Sequence, residues 1–310
     1  MDDNDLPMDT SRDVFYFTEG ALAYAGCYLH AEDNPAHTHS FVEIAFAIGG
    51  SGIHHSVSGR HEMSRGDVVL LRPGVWHGYE ACLRLELYNC CFSSELLRRE
   101  LSWMREDPLL GYLLWTGPYA MAGRGMLSFS LPEEALGSCM GHLEALAALR
   151  RCSLARHRGD ILGRLSLLLS ELGRVAQPGL GLPGTTAATQ GGPLHPAVGR
   201  AMRLLEASLA RPWALTELAE ELHLTPGYLV RLFKAATGLP PMAYLAQVRA
   251  EQAADLLLHS DEPITCIGQA VGWPDQNYFA RRFKAHYGLT ATSYRKMFAA
   301  RVAHLRETPF

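Results

Sequence analysis

Residues 37–50 read HTHSFVEIAFAIGG and residues 66–77 read GDVVLLRPGVWH. Within them stand three histidines, His37, His39 and His77, and the glutamate Glu43. Imidazole nitrogens and a carboxylate form a complete donor set for a divalent transition metal. Without metal, the same groups with Trp76 suit a polyhydroxylated ligand. The indole stacks on a ring while imidazole and carboxylate take hydroxyls. His37, His39 and Glu43 share parity, so on a single strand they would point to one side, with His77 arriving from a second strand. His54 and His55 are consecutive and must face opposite ways, so at most one can join them.

A second set of chemistry-bearing residues recurs near the C-terminus. Residues 228–239 read YLVRLFKAATGL and residues 278–289 read YFARRFKAHYGL, matching at an offset of 50. Arginine grips guanine O6 and N7, and glutamine or asparagine pairs with adenine N6 and N7. The base-facing candidates are Gly227, Val230 and Arg231 in the first copy, and Gln276, Asn277, Ala280 and Arg281 in the second. Val230 can only touch a thymine methyl, so the second copy is expected to carry more of the hydrogen-bonded readout. Lys234, Arg282 and Lys284 are placed for phosphates. Tyr228, Leu229, Phe233, Tyr278, Phe279 and Phe283 read as core.

These residues need helices to present them. Each copy follows a short apolar helix and a turn, which is the layout of a helix-turn-helix. Thr216 is the expected cap of the first scaffold helix. Thr225, with Pro226 behind it, starts the first reading helix and Gly238 ends it. Asp275 and Gly288 do the same for the second. Residues 243–259 read as one amphipathic helix that fixes the spacing of the two readers, suited to successive major grooves ~34 Å apart.

The histidines need strands. Segments VEIAFAI, SGIHHSV, DVVLL and LRLELYNCCF, separated by turn sequences, predict a small β-barrel or sandwich over residues 1–93. Residues 94–177 read as helical, and Ile161, Leu165, Leu168, Leu172 and Val175 form a narrow seam. That seam suits either the barrel or a partner helix of a second subunit. Residues 178–194, rich in Gly, Pro and Thr, read as a flexible linker. Residues 195–310 read as all-helical.

Composition narrows the class. The hydrophobic fraction of 48% and charged fraction of 19% are globular values. No apolar run approaches the roughly 20 residues of a membrane span. The acidic start MDDNDLPMDTSRD lacks a signal peptide's pattern. The seven cysteines show no CxxC spacing and read as reduced thiols, so a cytoplasmic protein is expected. Net charge is −4, but from His195 onward 13 Lys and Arg face 10 Asp and Glu. The basic excess therefore sits with the repeat, as phosphate binding requires. It is modest, so tight binding calls for more than one subunit.

The stretches LTELAEELHLTPGYLVRLFKAATGLPPMAYLAQVRAEQAADLLL and ITCIGQAVGWPDQNYFARRFKAHYGLTATSYR resemble the DNA-binding domain of the AraC/XylS family of transcription regulators. Gly268, Trp273 and Ala291 stand where that family usually has alanine, phenylalanine and proline. The histidine segments look like the two cupin motifs, with Arg72 and Ala31 as departures. The resemblance implies an α+β multidomain protein: a cupin-like effector-sensing barrel, dimerisation helices, and an all-α domain with two helix-turn-helix units. It implies a ligand-responsive regulator, an activator by family habit, with promoter DNA, a sugar-like effector, RNA polymerase and a second subunit as partners. No membrane partner and no required cofactor are expected, although a divalent metal has a candidate site. The competing class is a metal-dependent cupin enzyme, an oxygenase or isomerase, carrying a DNA-binding tail. A third is a DNA binder whose N-terminal domain only dimerises.

Overall fold

Two long strands organise the N-terminal half. The computed structural model describes residues 23–39, 41–149, 154–176 and 195–298; the expected linker at 178–194 lies outside them. The strands are β1 (Ala23–His30), β2 (Asn34–His37), β3 (Phe41–Ser56), β4 (Gly59–Ser64), β5 (Asp67–Leu71), β6 (His77–Ser93) and β7 (Met126–Ser130). They form one seven-stranded sheet in the order β1-β6-β3-β5-β7, with β2 on β6 and β4 on β3. All pairings are antiparallel. Among the described residues β1 and β7 are the ends of this order, so the sheet they form is open.

The sequence reading split residues 41–57 at the glycine-rich GGSG. The structure runs one strand through it. The β3–β6 register shifts between Ala47 and Ile53, and Ala81 and Arg84 of β6 take positive φ there. These are bulges, which bend a strand and sharpen its twist instead of reversing it. Gly50, at φ 66, is required at the bend: a Cβ would meet the Arg84 carbonyl oxygen at 1.9 Å.

Residues 94–177 are not uniformly helical. They hold α1 (Ser94–Arg98), α2 (Pro108–Gly111), strand β7, and then α3 (Glu133–Leu149) and α4 (Leu154–Val175). β7, MLSFS, alternates with period two and pairs with β5 from Met126 to Ser130. The narrow seam on α4 is spoken for: Leu165, Leu168 and Leu172 are fully buried and the helix packs on α3, which buries Leu136, Cys139, Leu143 and Leu146. The one partner helix that such a seam needs belongs to the same chain. A dimer through residues 94–177 would have to use another face.

The chain divides into two compact units, and residues 103–124 fall in the second with the C-terminal helices. That unit contains α5 (Pro196–Ala207), α6 (Leu215–Glu221), α7 (Pro226–Thr237), α8 (Pro241–His259), α9 (Ile264–Ala270), α10 (Gln276–Tyr287) and α11 (Ala291–Phe298). Buried Arg105 makes a 2.5 Å ion pair with Glu206 of α5, which also accepts from the Tyr244 hydroxyl of α8. Arg249 of α8 donates to the carbonyls of Leu209 and Arg211 at 2.9 and 2.7 Å, tying the central helix to the loop after α5.

The turns follow the expected chemistry with one exception. Thr225 accepts from Tyr228 N at 3.3 Å and Asp275 from its counterpart Tyr278 N at 2.6 Å. Gly238 and Gly288 close α7 and α10 in the left-handed region, at φ 75 and 76. Thr216, however, lies inside α6; Ala214 is the first flanking residue, and the Glu217 carboxylate accepts from its N–H at 3.5 Å. A glutamate three residues into a helix can satisfy that amide without a hydroxyl at the cap.

Candidate functional site

The two reading helices present equivalent faces. Gly227, Arg231 and Lys234 on α7 are exposed, as are Gln276, Asn277, Ala280, Arg281, Arg282 and Lys284 on α10; Val230 is half-buried. Positions 227, 230, 231 and 234 recur every three or four residues and so share one helical stripe. Their counterparts at 277, 280, 281 and 284 do the same. Among the described residues none of the five cations on these faces makes an ion pair. A line of uncompensated cations and amides on one stripe is what a phosphate-lined groove requires.

The core assignment holds for Leu229, Phe233, Phe279 and Phe283, which are buried, but not for the tyrosines. Tyr228 is 41% exposed and Tyr278 43%. They occupy the same place in both copies, next to the candidate base-reading positions. A repeated aromatic reads equally as core or surface in sequence, so nothing local separated the two.

In the sensor, the polar candidates converge through tertiary structure and not through one strand. His37 ends β2, His39 lies between β2 and β3, Glu43 is on β3, and His77 opens β6 opposite His37. His39 Nε2 stands 2.7 Å from Glu43 Oε2, and His77 Nε2 stands 3.5 Å from the same oxygen. Asn89 of β6 donates to Glu43 Oε1 at 2.5 Å. The His39 Nδ1 lies 2.9 Å from the Phe41 carbonyl and the His37 Nδ1 3.0 Å from that of Pro35. A carbonyl only accepts, so each Nδ1 carries a proton.

Electrostatics sharpen the picture. Burial opposes the Glu43 charge, but hydrogen bonds from His39 and His77 more than offset it, and the carboxyl is held well below its usual range. Burial, with His37 nearby, pushes His77 well below the ordinary histidine value, so its imidazole is neutral.

Two residues that the spacing did not nominate join the cluster. His54 packs its ring 5.5 Å from that of His77 and 5.3 Å from that of Tyr79. It is fully buried, neither ring nitrogen has a hydrogen-bond partner among the described residues, and burial lowers its pKa to about 3. Asn89 is the other, its Oδ1 buried and likewise unpartnered. Alternation along β3 could have found His54, since parity allowed either it or His55; choosing needed the sheet. Trp76 behaves differently from its neighbour His77: its ring meets His55, at 6.1 Å, on the side away from His54. Buried polar groups without partners cost about 1–3 kcal/mol each, so their convergence marks a place where a ligand supplies what the chain does not.

A sheet-built sensor with a buried polar cluster, joined to a helical unit with two exposed reading helices, defines a ligand-binding DNA-binding transcription regulator. The AraC-like ligand binding domain matches residues 23–170, and the Helix-turn-helix domain matches residues 218–297. The chain belongs to the AraC family. It is 28% identical over 290 residues to the HTH-type transcriptional activator RhaR of Shigella dysenteriae, covering 92% of this chain and 95% of that one. With RhaR of Escherichia coli O139:H28 it is 29% identical over 297 residues, with the same coverage. The fold is also that of ToxT from Vibrio cholerae, with a TM-score of 0.50 at 11% identity over 90% of this chain and 98% of that one. Among the described residues no helix is long and apolar enough to cross a membrane.

Proposed function

We propose that this chain is an effector-responsive activator that binds promoter DNA through α7 and α10 and senses a small polar molecule, a carbohydrate or derivative, in the N-terminal unit. The observation that carries it is the pair of equivalent exposed stripes, Arg231 with Lys234 and Arg281 with Lys284, in a chain that also buries unpartnered polar groups around Glu43. Arg281, Gln276 and Asn277 read bases on α10; Arg231, with Gly227 and Val230, reads on α7; Lys234, Arg282 and Lys284 hold phosphates. Tyr228 and Tyr278 border the same surface.

The effector is held by His37, His39, Glu43 and His77, with His54 and Asn89 beside them; Trp76, expected in this set, faces His55 instead. Two subunits engage repeated half-sites, and the bound protein contacts RNA polymerase. The effector must favour one arrangement of the two units over another, or it switches nothing. The name shared by the RhaR relatives supports activation, and their being regulators favours this reading over a metal-dependent enzyme with a DNA-binding tail.

The test is genome-wide binding of purified protein to fragmented host DNA, with and without a mixture of pentoses, hexoses and deoxyhexoses. Discrete peaks beside transport or catabolic genes that change with the sugars are expected. Diffuse, salt-sensitive binding alone would overturn the reading.

A further inference from the structure

We propose that the hydroxyls of Tyr228 and Tyr278 donate to DNA backbone phosphates, each gripping one strand while the lysine six residues later, Lys234 or Lys284, grips the other. This rests on the reading of α7 and α10 as DNA readers and deepens it.

The two tyrosines are placed alike. Each is the third residue of its helix, and its amide is held by the cap, Tyr228 N donating to Thr225 Oγ1 and Tyr278 N to Asp275 Oδ1. Their rings are 41% and 43% exposed, so packing does not account for a large aromatic at this position in both copies. Among the described residues neither hydroxyl has a hydrogen-bond partner.

Helical spacing says where they point. In α10 the buried Phe279 and Phe283 face the core. At about 100° per residue, Arg281 points directly away from them. Tyr278 and Lys284 lie three residues before and after Arg281, so they stand about 60° to either side of it. Tyr228, Arg231 and Lys234 repeat this arrangement above buried Leu229 and Phe233. A helix in the major groove with its arginine toward the base edges turns its two shoulders toward the two backbones. The lysine is on one shoulder and the tyrosine on the other.

The differences between the copies agree. Gly227 and Val230, candidates for base contacts, give way to Asn277 and Ala280, as readers of different bases require. Lys234 and Lys284, candidates for phosphates, are the same in both, because every phosphate is alike. The tyrosines follow the lysines. A phenol offers phosphate one O–H donor on a stiff ring, without charge. Tyr278 is braced by Trp273, whose ring meets it edge-on at 6.4 Å. The equivalent residue in the first copy is His223, and among the described residues Tyr228 has no such ring contact, so Tyr278 should contribute more.

The experiment measures binding of the full-length parent, Tyr228→Phe, Tyr278→Phe and Lys284→Gln over a range of salt. Two duplexes of about 30 base pairs, long enough for two successive major grooves, are used. One carries a site found in the genome-wide binding experiment, and the other is a scrambled duplex of the same composition. Phenylalanine keeps the ring, so circular dichroism and melting should match the parent. Each Phe variant should bind both duplexes about three- to tenfold more weakly, with the parent's salt dependence, because no charge is lost. Lys284→Gln should also weaken both, but flatten the salt dependence by about one counterion. Single neutral methylphosphonates are then placed along each strand of the genomic site. One that weakens the parent should leave Tyr278→Phe unaffected, and it should lie on the strand opposite the one where Lys284→Gln loses its sensitivity. Phe variants that bind like the parent would overturn the proposal. So would losses confined to the genomic site, which mark a base contact, or variants that lose sensitivity at no phosphate. If no genomic site emerges, the regulator reading fails while the scrambled duplex still decides the hydroxyl contact. A parent that binds neither duplex would sink both.

Discussion

Glu43 and His77 stand near opposite ends of the β3–β6 ladder, yet the Oε2 of one is 3.5 Å from the Nε2 of the other. Glu43 pairs with Cys91, whereas His77 pairs with Ser56. On a flat sheet these positions would be roughly 40 Å apart at about 3.3 Å per residue. The bulges between Ala47 and Ile53 close that distance by folding the first half of β3, with β5, over the second half, with β4. The buried site exists because the ladder bends.

His54 is expected to limit stability in exchange for ligand response. Both its ring nitrogens are buried and without a hydrogen-bond partner among the described residues. His54→Leu removes that cost and should stabilise the ligand-free protein by about 1–3 kcal/mol in urea denaturation, while abolishing the effector-dependent change in DNA binding. A variant that is less stable would show that the imidazole contributes packing that leucine cannot replace.

The departures at Gly268, Trp273 and Ala291 line a single cavity of about 240 Å3 beside α10. A Cβ at Gly268 would come within 2.9 Å of the Trp273 carbonyl oxygen and 3.3 Å of the Phe279 ring. Gly268→Ala gains about 1 kcal/mol of helix propensity but must displace backbone. The variant is expected to lose stability by about 1–2 kcal/mol, the range of moderate overpacking. A rise in melting temperature would mean that α9 shifts freely.

Arg281→Ala should weaken binding at a cognate site by about 1–3 kcal/mol and relax one base preference. Competition between cognate and random duplexes measures both. Equal losses on the two DNAs would place Arg281 on a phosphate.

Arg105→Met leaves the partly buried Glu206 without its charge partner and should cost somewhat less than the roughly 3–5 kcal/mol of a fully buried pair. Arg105→Met with Glu206→Leu removes both charges and should recover part of the loss, despite the Tyr244 hydroxyl losing its acceptor. Denaturation of the parent, both single variants and the double variant gives the coupling. Strict additivity would show that the pair does not act as one.

Burial, reinforced by Arg282 and Arg124, lowers the His286 pKa to about 4. Unfolded histidine titrates near 6.5, so between about pH 6.5 and 4 the unfolded chain takes up a proton that the folded one refuses. Stability should therefore fall as pH drops through this window, by at most about 3 kcal/mol, and change no further below it. His286→Gln should show a shallower loss in melting curves across the same range. Identical pH profiles would mean that His286 is solvated in the folded protein.

Much of this protein is local in origin and so could be read from the chain. The offset-50 repeat, the caps at Thr225 and Asp275 and the closing glycines at 238 and 288 are short-range devices, each set by a residue and its neighbours within a turn or two. The same holds for the exposed stripes of α7 and α10. Tertiary structure decided what depends on distant pairing. The bend at Gly50 set Glu43 against His77. The sheet also put His54 inside instead of His55 and recruited β7 from a stretch that read as helix. The α4 seam went to α3 of the same chain, and residues 103–124 went to the C-terminal unit. Periodicity tells which face of an element is apolar, but not which partner covers it. That choice is made by chain closure over many residues, where burial of the whole core outweighs any local preference.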